Sequence, residues 1–380
     1  MKKIFLASKN LVSPNEQGAD FVELFFDLVF VYAITRITSF SAHNLDATHL
    51  LQALLIFWLI WWGWTSFTWS LNAANTRISE VRMMVLVSTG VAFIMASSID
   101  EAFGTDALRF ALPYVIIRML GIGLYTRVTT SINVPNARVL AYAIPSIIGL
   151  MAVLAGAIAA PSFRIYWWLS AIAFDMLAGY LGGRAEGLDL NPSHFAERHG
   201  LIVIIALGES LIVAANAVSS QETFQEIMIV GSLAVLVTCL LWWSYFSWIK
   251  EHLEEHLSRK SGQEQASLAR DSFSILHFPL ICGIIGVAVG FERIMGHPHE
   301  LLSVPVAIAL SGGYLFFVGF TAISVWRLSK LLLIPRISIL IISMIGLAFS
   351  VAHPPYIALG IIAGSLTLIT FIEWKKCRQA

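Results

Sequence analysis

The sequence predicts an all-α polytopic membrane protein of about twelve transmembrane helices, arranged as two parallel six-helix repeats. Three observations predict it. Apolar runs recur along the whole chain, most near the ~20 residues that a helix needs to cross a bilayer. Composition is 57% hydrophobic and 13% charged, outside the balance of a soluble globular domain. Two tryptophan-rich segments, Trp61-Trp62-Gly63-Trp64 and Trp242-Trp243-Ser244-Tyr245, lie 181 positions apart (242 − 61) in a chain of 380 residues, which points to duplication.

The spans fall at about 21–42, 49–70, 81–99, 107–128, 137–160, 163–183, 195–217, 224–249, 267–291, 300–324, 330–352 and 355–374. An even number of spans returns both termini to one side. Of the 24 lysines and arginines, Arg109, Arg164 and Arg293 fall on the opposite side, and Arg36 and Arg118 fall inside spans. All the others, Arg198 and Arg336 included, share the side of the termini, which the positive-inside rule makes cytoplasmic. The start, MKKIFLASKN, has an apolar stretch too short for a signal-peptide core, so the N-terminus is expected to be retained. Trp61, Trp62, Trp64 and Trp69 close the second span and Trp242, Trp243 and Trp248 the eighth, which reads as an interfacial aromatic belt. Trp167 and Trp168 would be its counterpart on the outer face.

At the heads of the halves, 1–190 and 191–380, Phe21-Val22-Glu23 matches Phe195-Ala196-Glu197. Six spans per half give both halves the same orientation, related by an axis along the membrane normal, with a pathway between them as the natural consequence.

Zero formal net charge and the lack of a basic stripe exclude a nucleic-acid footprint. Cys239, Cys282 and Cys377 form neither a CxxC pair nor a disulfide framework. No nucleotide or nucleophile-elbow fingerprint is present, so no cofactor is implied.

Charges inside the apolar segments are therefore the functional candidates. Asp20, Glu23 and Asp27 are spaced three and four apart and share one helix face. Asp20 and Glu23 fit an N-cap and its reciprocal partner, which alone could explain them. Asp27 lies a turn deeper, where ionised and unpaired it would cost about 2.5–3.5 kcal/mol. Either an arginine or histidine neutralises it, or it carries a proton. Arg36 is out of phase with it. Arg118, near the middle of the fourth span, is the better partner for some buried acid, and Asp175 in the sixth span has no local cation. The seventh span carries Glu197, Arg198 and His199 where it begins and Gly208-Glu209 further along; three turns separate Arg198 from Glu209, which speaks against direct pairing. Gly208 would allow a close backbone approach or a loosened helix, or simply pack. His277 is the ionisable group in the apolar part of the ninth span, either a proton relay or a hydrogen-bonded histidine beside a proline kink at Pro279. Counting Asp27, Asp175 and Glu209 against Arg36 and Arg118 leaves an excess of one acid.

His252-Leu253-Glu254-Glu255-His256 matches the H-x-x-E-H zinc pattern, a match that short polar helices also produce by chance. His297-Pro298-His299-Glu300 is an outer-loop cluster of the same kind.

Two segments resemble a known family. Glu23-Leu24-Phe25-Phe26-Asp27-Leu28-Val29-Phe30-Val31 resembles the first-span signature of the bacterial low-temperature-requirement protein A family, and Glu197-Arg198-His199-Gly200 with Leu207-Gly208-Glu209-Ser210 resembles its second. The resemblance implies a polytopic protein of the bacterial inner membrane, named for a growth phenotype in the cold, with no settled biochemical activity. Phe25-Phe26-Asp27 is also similar in outline to the endolysosomal potassium channel family, but Phe26 stands where that family has a serine, and Arg198-His199-Gly200-Leu201 stands where its motif should recur.

The expected function is transport of an ion or small solute, with Glu23, Asp27, Arg118, Asp175, Glu197, Arg198, His199, Glu209 and His277 along the path. A passive cation or proton channel is the main alternative; a membrane scaffold and a metal-dependent membrane enzyme using His252 and His256 follow. Expected partners are the lipid bilayer and the transported species, with no nucleic acid and with homo-oligomerisation left open.

Overall fold

A computed structural model describes residues 11, 18–132, 134–182, 190–218 and 224–377. Lys2, Lys3, Lys9, Arg184 and Arg378, part of the charge bias above, lie outside the described residues. The described chain contains no strand and folds as α1 (Phe21–His43), α2 (Ala47–Ala73), α3 (Ser79–Ser97), α4 (Leu108–Ser131), α5 (Asn136–Ile158), α6 (Pro161–Gly182), α7 (Pro192–Val218), α8 (Phe224–Phe246), α9 (Ile249–Ser258), α10 (Gly262–Ala269), α11 (His277–Gly296), α12 (Val304–Ser329), α13 (Ile334–Phe349) and α14 (Pro355–Cys377). Each expected span corresponds to one of the twelve long helices; α9 and α10 are short polar additions between α8 and α11.

Among the described residues, eight helical stretches are long and apolar enough to cross a membrane. The long helices outside that set include α1 and α7, which carry the charged residues described below, and α13, which has 16 residues. Large apolar side chains point outward from several of them: Met83, Leu86 and Phe93 on α3, Ile341, Ile342 and Ile345 on α13. An apolar exterior of this extent belongs to a protein solvated by lipid.

The chain divides into two compact units, Met1–Arg36 with Leu51–His199 and Leu257–Arg270, and Ile37–Leu50 with Gly200–His256 and Asp271–Ala380. Within the first, α5 and α6 approach through glycine: a Cβ at Gly156 would stand 2.8 Å from both Trp167 and Trp168. α2 is enclosed, with 78% of its apolar window buried against 39% for α3. That enclosure corrects the aromatic-belt expectation for the second span. Trp61, Trp62 and Trp64 are buried, because the helix carrying them is surrounded by protein. Trp242 and Trp243 on α8 are exposed, as a belt requires.

Within the second unit, α11 and α12 meet through Gly283, Gly286 and Gly313, whose missing side chains let the two backbones touch. Arg336 on α13 braces four helices: Nε and Nη2 donate to Glu373 of α14 at 2.9 and 3.0 Å, Nη1 to Thr321 of α12 at 2.6 Å, and Nη2 also to Ser244 Oγ of α8 at 2.7 Å. Arg336, counted among the cations of the cytoplasmic side, is buried. Arg164, expected on the outer side, is likewise buried, and donates to the carbonyls of Gly156, Ala102 and Gly104.

The glycine contact makes a quantitative expectation. A Cβ at Gly313 would lie 2.5 Å from Val287 N and 2.7 Å from Gly283 O, so Gly313→Ala should cost about 1–3 kcal/mol, read as a lower unfolding temperature in detergent. Gly312→Ala meets nothing within 4 Å and should leave that temperature unchanged or raise it.

Candidate functional site

The first turn of α1 is built as its spacing predicts. Val22 N–H donates to Asp20 Oδ1 at 3.5 Å and Asp20 N–H donates to Glu23 Oε1 at 3.3 Å, the reciprocal pattern of a capping box. The second oxygen of Asp20 accepts from Thr76 Oγ1 at 2.9 Å and from Arg82 at 3.3 Å. Partial burial works to raise the pKa of Asp20, but the Thr76 and Arg82 hydrogen bonds outweigh it and hold the carboxyl below the usual carboxylate range.

Capping does not exhaust Glu23. Arg198, expected at the cytoplasmic entry of the seventh span, is fully buried on α7 and joins both acids of α1. Its Nη1 donates to Glu23 Oε2, its Nη2 to Asp27 Oδ1 at 2.7 Å and its Nε to Asp27 Oδ2 at 3.1 Å. The contact with Asp27 is therefore a two-point fork, the strongest geometry available to this pair. Trp64 Nε1–H donates to Asp27 Oδ1 at 2.8 Å, and the Arg198 guanidinium lies 5.8 Å from the centre of the Trp64 ring. Of the two fates set out for Asp27, the geometry supplies the partner that the first requires, Arg198. Two carboxyl groups share one arginine, a formal charge of −1 within the cluster when both acids are ionised and His194 is neutral.

Glu23 has a second side-chain partner. His194 Nε2 stands 3.1 Å from Glu23 Oε1, and its Nδ1 stands 3.1 Å from Asn72 Nδ2. His199 is buried one turn further along α7, with Nδ1–H donating to the Phe195 carbonyl at 2.9 Å and its ring 5.1 Å edge-on from Trp64. Glu197 points the other way: it is exposed and accepts from Ala19 N–H at 3.0 Å. The proposed correspondence of Glu23 with Glu197 thus matches a buried acid to an exposed one.

Other candidates lie apart from this cluster. Arg118 and Asp175 find each other, Nη2 donating to Oδ1 at 2.7 Å with both side chains buried, a net-neutral brace between α4 and α6. Arg36 pairs with Asp100. Glu209 is buried in the part of α7 that belongs to the second unit. The expectation for Gly208 is corrected: a Cβ there meets nothing within 4 Å, and α7 stays helical through it, so neither a close backbone approach nor a break marks the position. His277 is buried and hydrogen-bonded at both ring nitrogens, Nδ1 to the Ser272 carbonyl at 2.8 Å and Nε2 to the Tyr245 hydroxyl at 2.8 Å. The irregularity beside it is a π-helical segment, Arg270–Ile275, and Pro279 sits in the first turn of α11 instead of kinking it. His252 Nε2 meets Ser329 Oγ at 2.9 Å and His256 Nδ1 donates to the His252 carbonyl at 2.9 Å. Among the described residues, no three His, Cys, Asp or Glu side chains are grouped to hold a metal ion.

Sequence reasoning missed Trp64, His194 and Asn72. His194 and Arg198 are four apart on α7, a spacing that places them on one face and could have flagged the histidine. Trp64 and Asn72 had no such signal; their roles depend on the enclosure of α2.

Removing the shared cation should be more damaging than removing a single hydrogen bond. Arg198→Met leaves two buried carboxylates uncompensated and should cost about 3–5 kcal/mol. Trp64→Phe removes one donor to a carboxylate and should cost about 1.5–3 kcal/mol. Thermal or denaturant unfolding in detergent reads both, and equal effects would contradict this ranking.

The residues of the cluster lie within the region that a family model matches. The model for the Bacterial low temperature requirement A protein (LtrA) family matches residues 18–371, nearly the whole chain. An uncharacterised protein of Rhizobium meliloti (strain 1021) is similar, 27% identical over 319 residues that cover 81% of this chain and 77% of the relative. No solved structure matches the chain. With both charged segments inside the matched region, the chain belongs to the bacterial low temperature requirement A family.

Proposed function

We propose that this protein carries an ion or small solute across the bacterial inner membrane, and that Glu23, Asp27 and Arg198 are the charged element of the path. The observation that carries this reading is the buried cluster in which a single guanidinium serves two carboxyl groups, a formal charge of −1 with both acids ionised and His194 neutral. A purely structural brace needs only a matched pair, as Arg118–Asp175 and Arg336–Glu373 illustrate in the same chain. An unmatched buried charge is costly and is characteristic of ion and substrate pathways in membrane proteins. The family assignment and the apolar helices support the membrane setting. In this reading the two six-helix halves, 1–190 and 191–380, are a parallel duplication, both termini are cytoplasmic, and the protein is a carrier and not an enzyme.

Purified protein in liposomes tests it. With proton, sodium and potassium gradients imposed in turn, wild type should dissipate at least one of them. Asp27→Asn, provided it remains monodisperse and folded in detergent, should abolish that flux, because it changes the cluster from −1 to neutral. Equal flux in both proteins would remove Asp27 and its cluster from the path.

A further inference from the structure

We infer that the ion handled at this cluster is the proton, delivered to Glu23 through His194 under the control of Asn72. The inference rests on the transport reading above and deepens it.

A metal cation needs several oxygens with free lone pairs, and here every carboxyl oxygen already accepts at least one hydrogen bond, which leaves few of them. Glu23 Oε1 accepts from Asp20 N–H and faces His194 Nε2, and Oε2 accepts from Arg198. Asp27 Oδ1 accepts from Trp64 and Arg198, and Oδ2 from Arg198. The guanidinium occupies the space between the two acids that a cation would have to take. A proton needs only one oxygen.

The route follows from an assignment of hydrogens. Asn191 N–H must donate, so the Asn72 atom 2.9 Å from it is the amide oxygen, Oδ1. The Asn72 amide nitrogen then donates to the Asn191 carbonyl at 2.9 Å and to His194 Nδ1 at 3.1 Å. Nδ1 is therefore the bare nitrogen of the ring, and Nε2–H donates to Glu23 Oε1. Asn72 acts as a tautomer latch: while it donates to Nδ1, no proton can bind there. When the amide withdraws, a proton binds Nδ1, the Nε2–H bond breaks, and that hydrogen forms an O–H bond on Glu23 Oε1. The ring ends neutral as the Nδ1–H tautomer, Glu23 ends as the acid, and the cluster goes from −1 to zero.

The other groups facing this relay leave it distinct. On α1, Asp20 is held by Thr76 and by Arg82 of α3, and Asp27 by Arg198 and Trp64. On α7, Glu197 accepts from Ala19 N–H and His199 Nδ1 donates to the Phe195 carbonyl.

Two measurements on the full-length protein test this, one of them independent of transport. Nitrogen-15 NMR of histidine-labelled protein, with His194 assigned by comparison with His194→Gln, should show a bare Nδ1 and a protonated Nε2 in wild type, and a mixture of tautomers in Asn72→Ala. In liposomes, wild type should move protons without moving potassium or sodium, His194→Gln should lose proton flux, and Asn72→Ala should shift its pH profile. A protonated Nδ1 and bare Nε2 in wild type would overturn the latch whatever the flux shows. Proton flux with an unchanged pH profile in both variants would overturn the relay while leaving the transport reading intact. Potassium or sodium flux without proton flux would overturn the proton as the ion, and no flux of any ion would overturn the transport reading and the relay together.

Discussion

A guanidinium that has left water must find its hydrogen bonds in protein, and the site described above is organised by that requirement at Arg198. Taking an ion out of water costs several kcal/mol even after relaxation, and each acceptor that a buried arginine finds offsets part of that cost. Arg198 obtains them by drawing the first two turns of α1 and the first two turns of α7 together, with three nitrogens on two carboxylates. Trp64 then has to be enclosed to reach Asp27, and α2 with it. Trp64 and His194 both donate into this cluster, at Asp27 and at Glu23, and Asn72 lies behind His194.

The same physics recurs with different arithmetic. Arg118 with Asp175 and Arg336 with Glu373 are one cation to one acid, and hydroxyls or carbonyls fill further donors of Arg336. Such pairs fix which faces of helices meet without leaving charge behind. The α1–α7 cluster differs by one formal negative charge, and the proposed function rests on that difference.

Much of the fold was legible in the sequence, because lipid imposes a length and an apolarity on every span. All twelve segments appear as helices near their expected bounds. The capping box at Asp20 and Glu23 was legible from spacing alone, and so was the likelihood of a partner for Arg118. Tertiary enclosure was not legible. A tryptophan at the end of an apolar helix reads as interfacial whether lipid or protein surrounds it, and only the structure separates Trp64 from Trp242. Arg198 and Arg336 sit close to span ends, where a count of cations assigns them only to a side of the membrane; their acids are 171 to 175 positions away for Arg198 and 37 for Arg336, beyond any local pattern.

The most direct measurement of the central claim is a double-mutant cycle between Asp27→Asn and Arg198→Gln, followed by unfolding in detergent. If one arginine neutralises the buried acid, the two changes should be strongly non-additive, with a coupling of about 0.5–3 kcal/mol, because the second substitution removes a partner that the first has already deprived of its charge. Additivity within about 0.3–0.5 kcal/mol would mean that the two groups do not depend on each other, and would contradict the account.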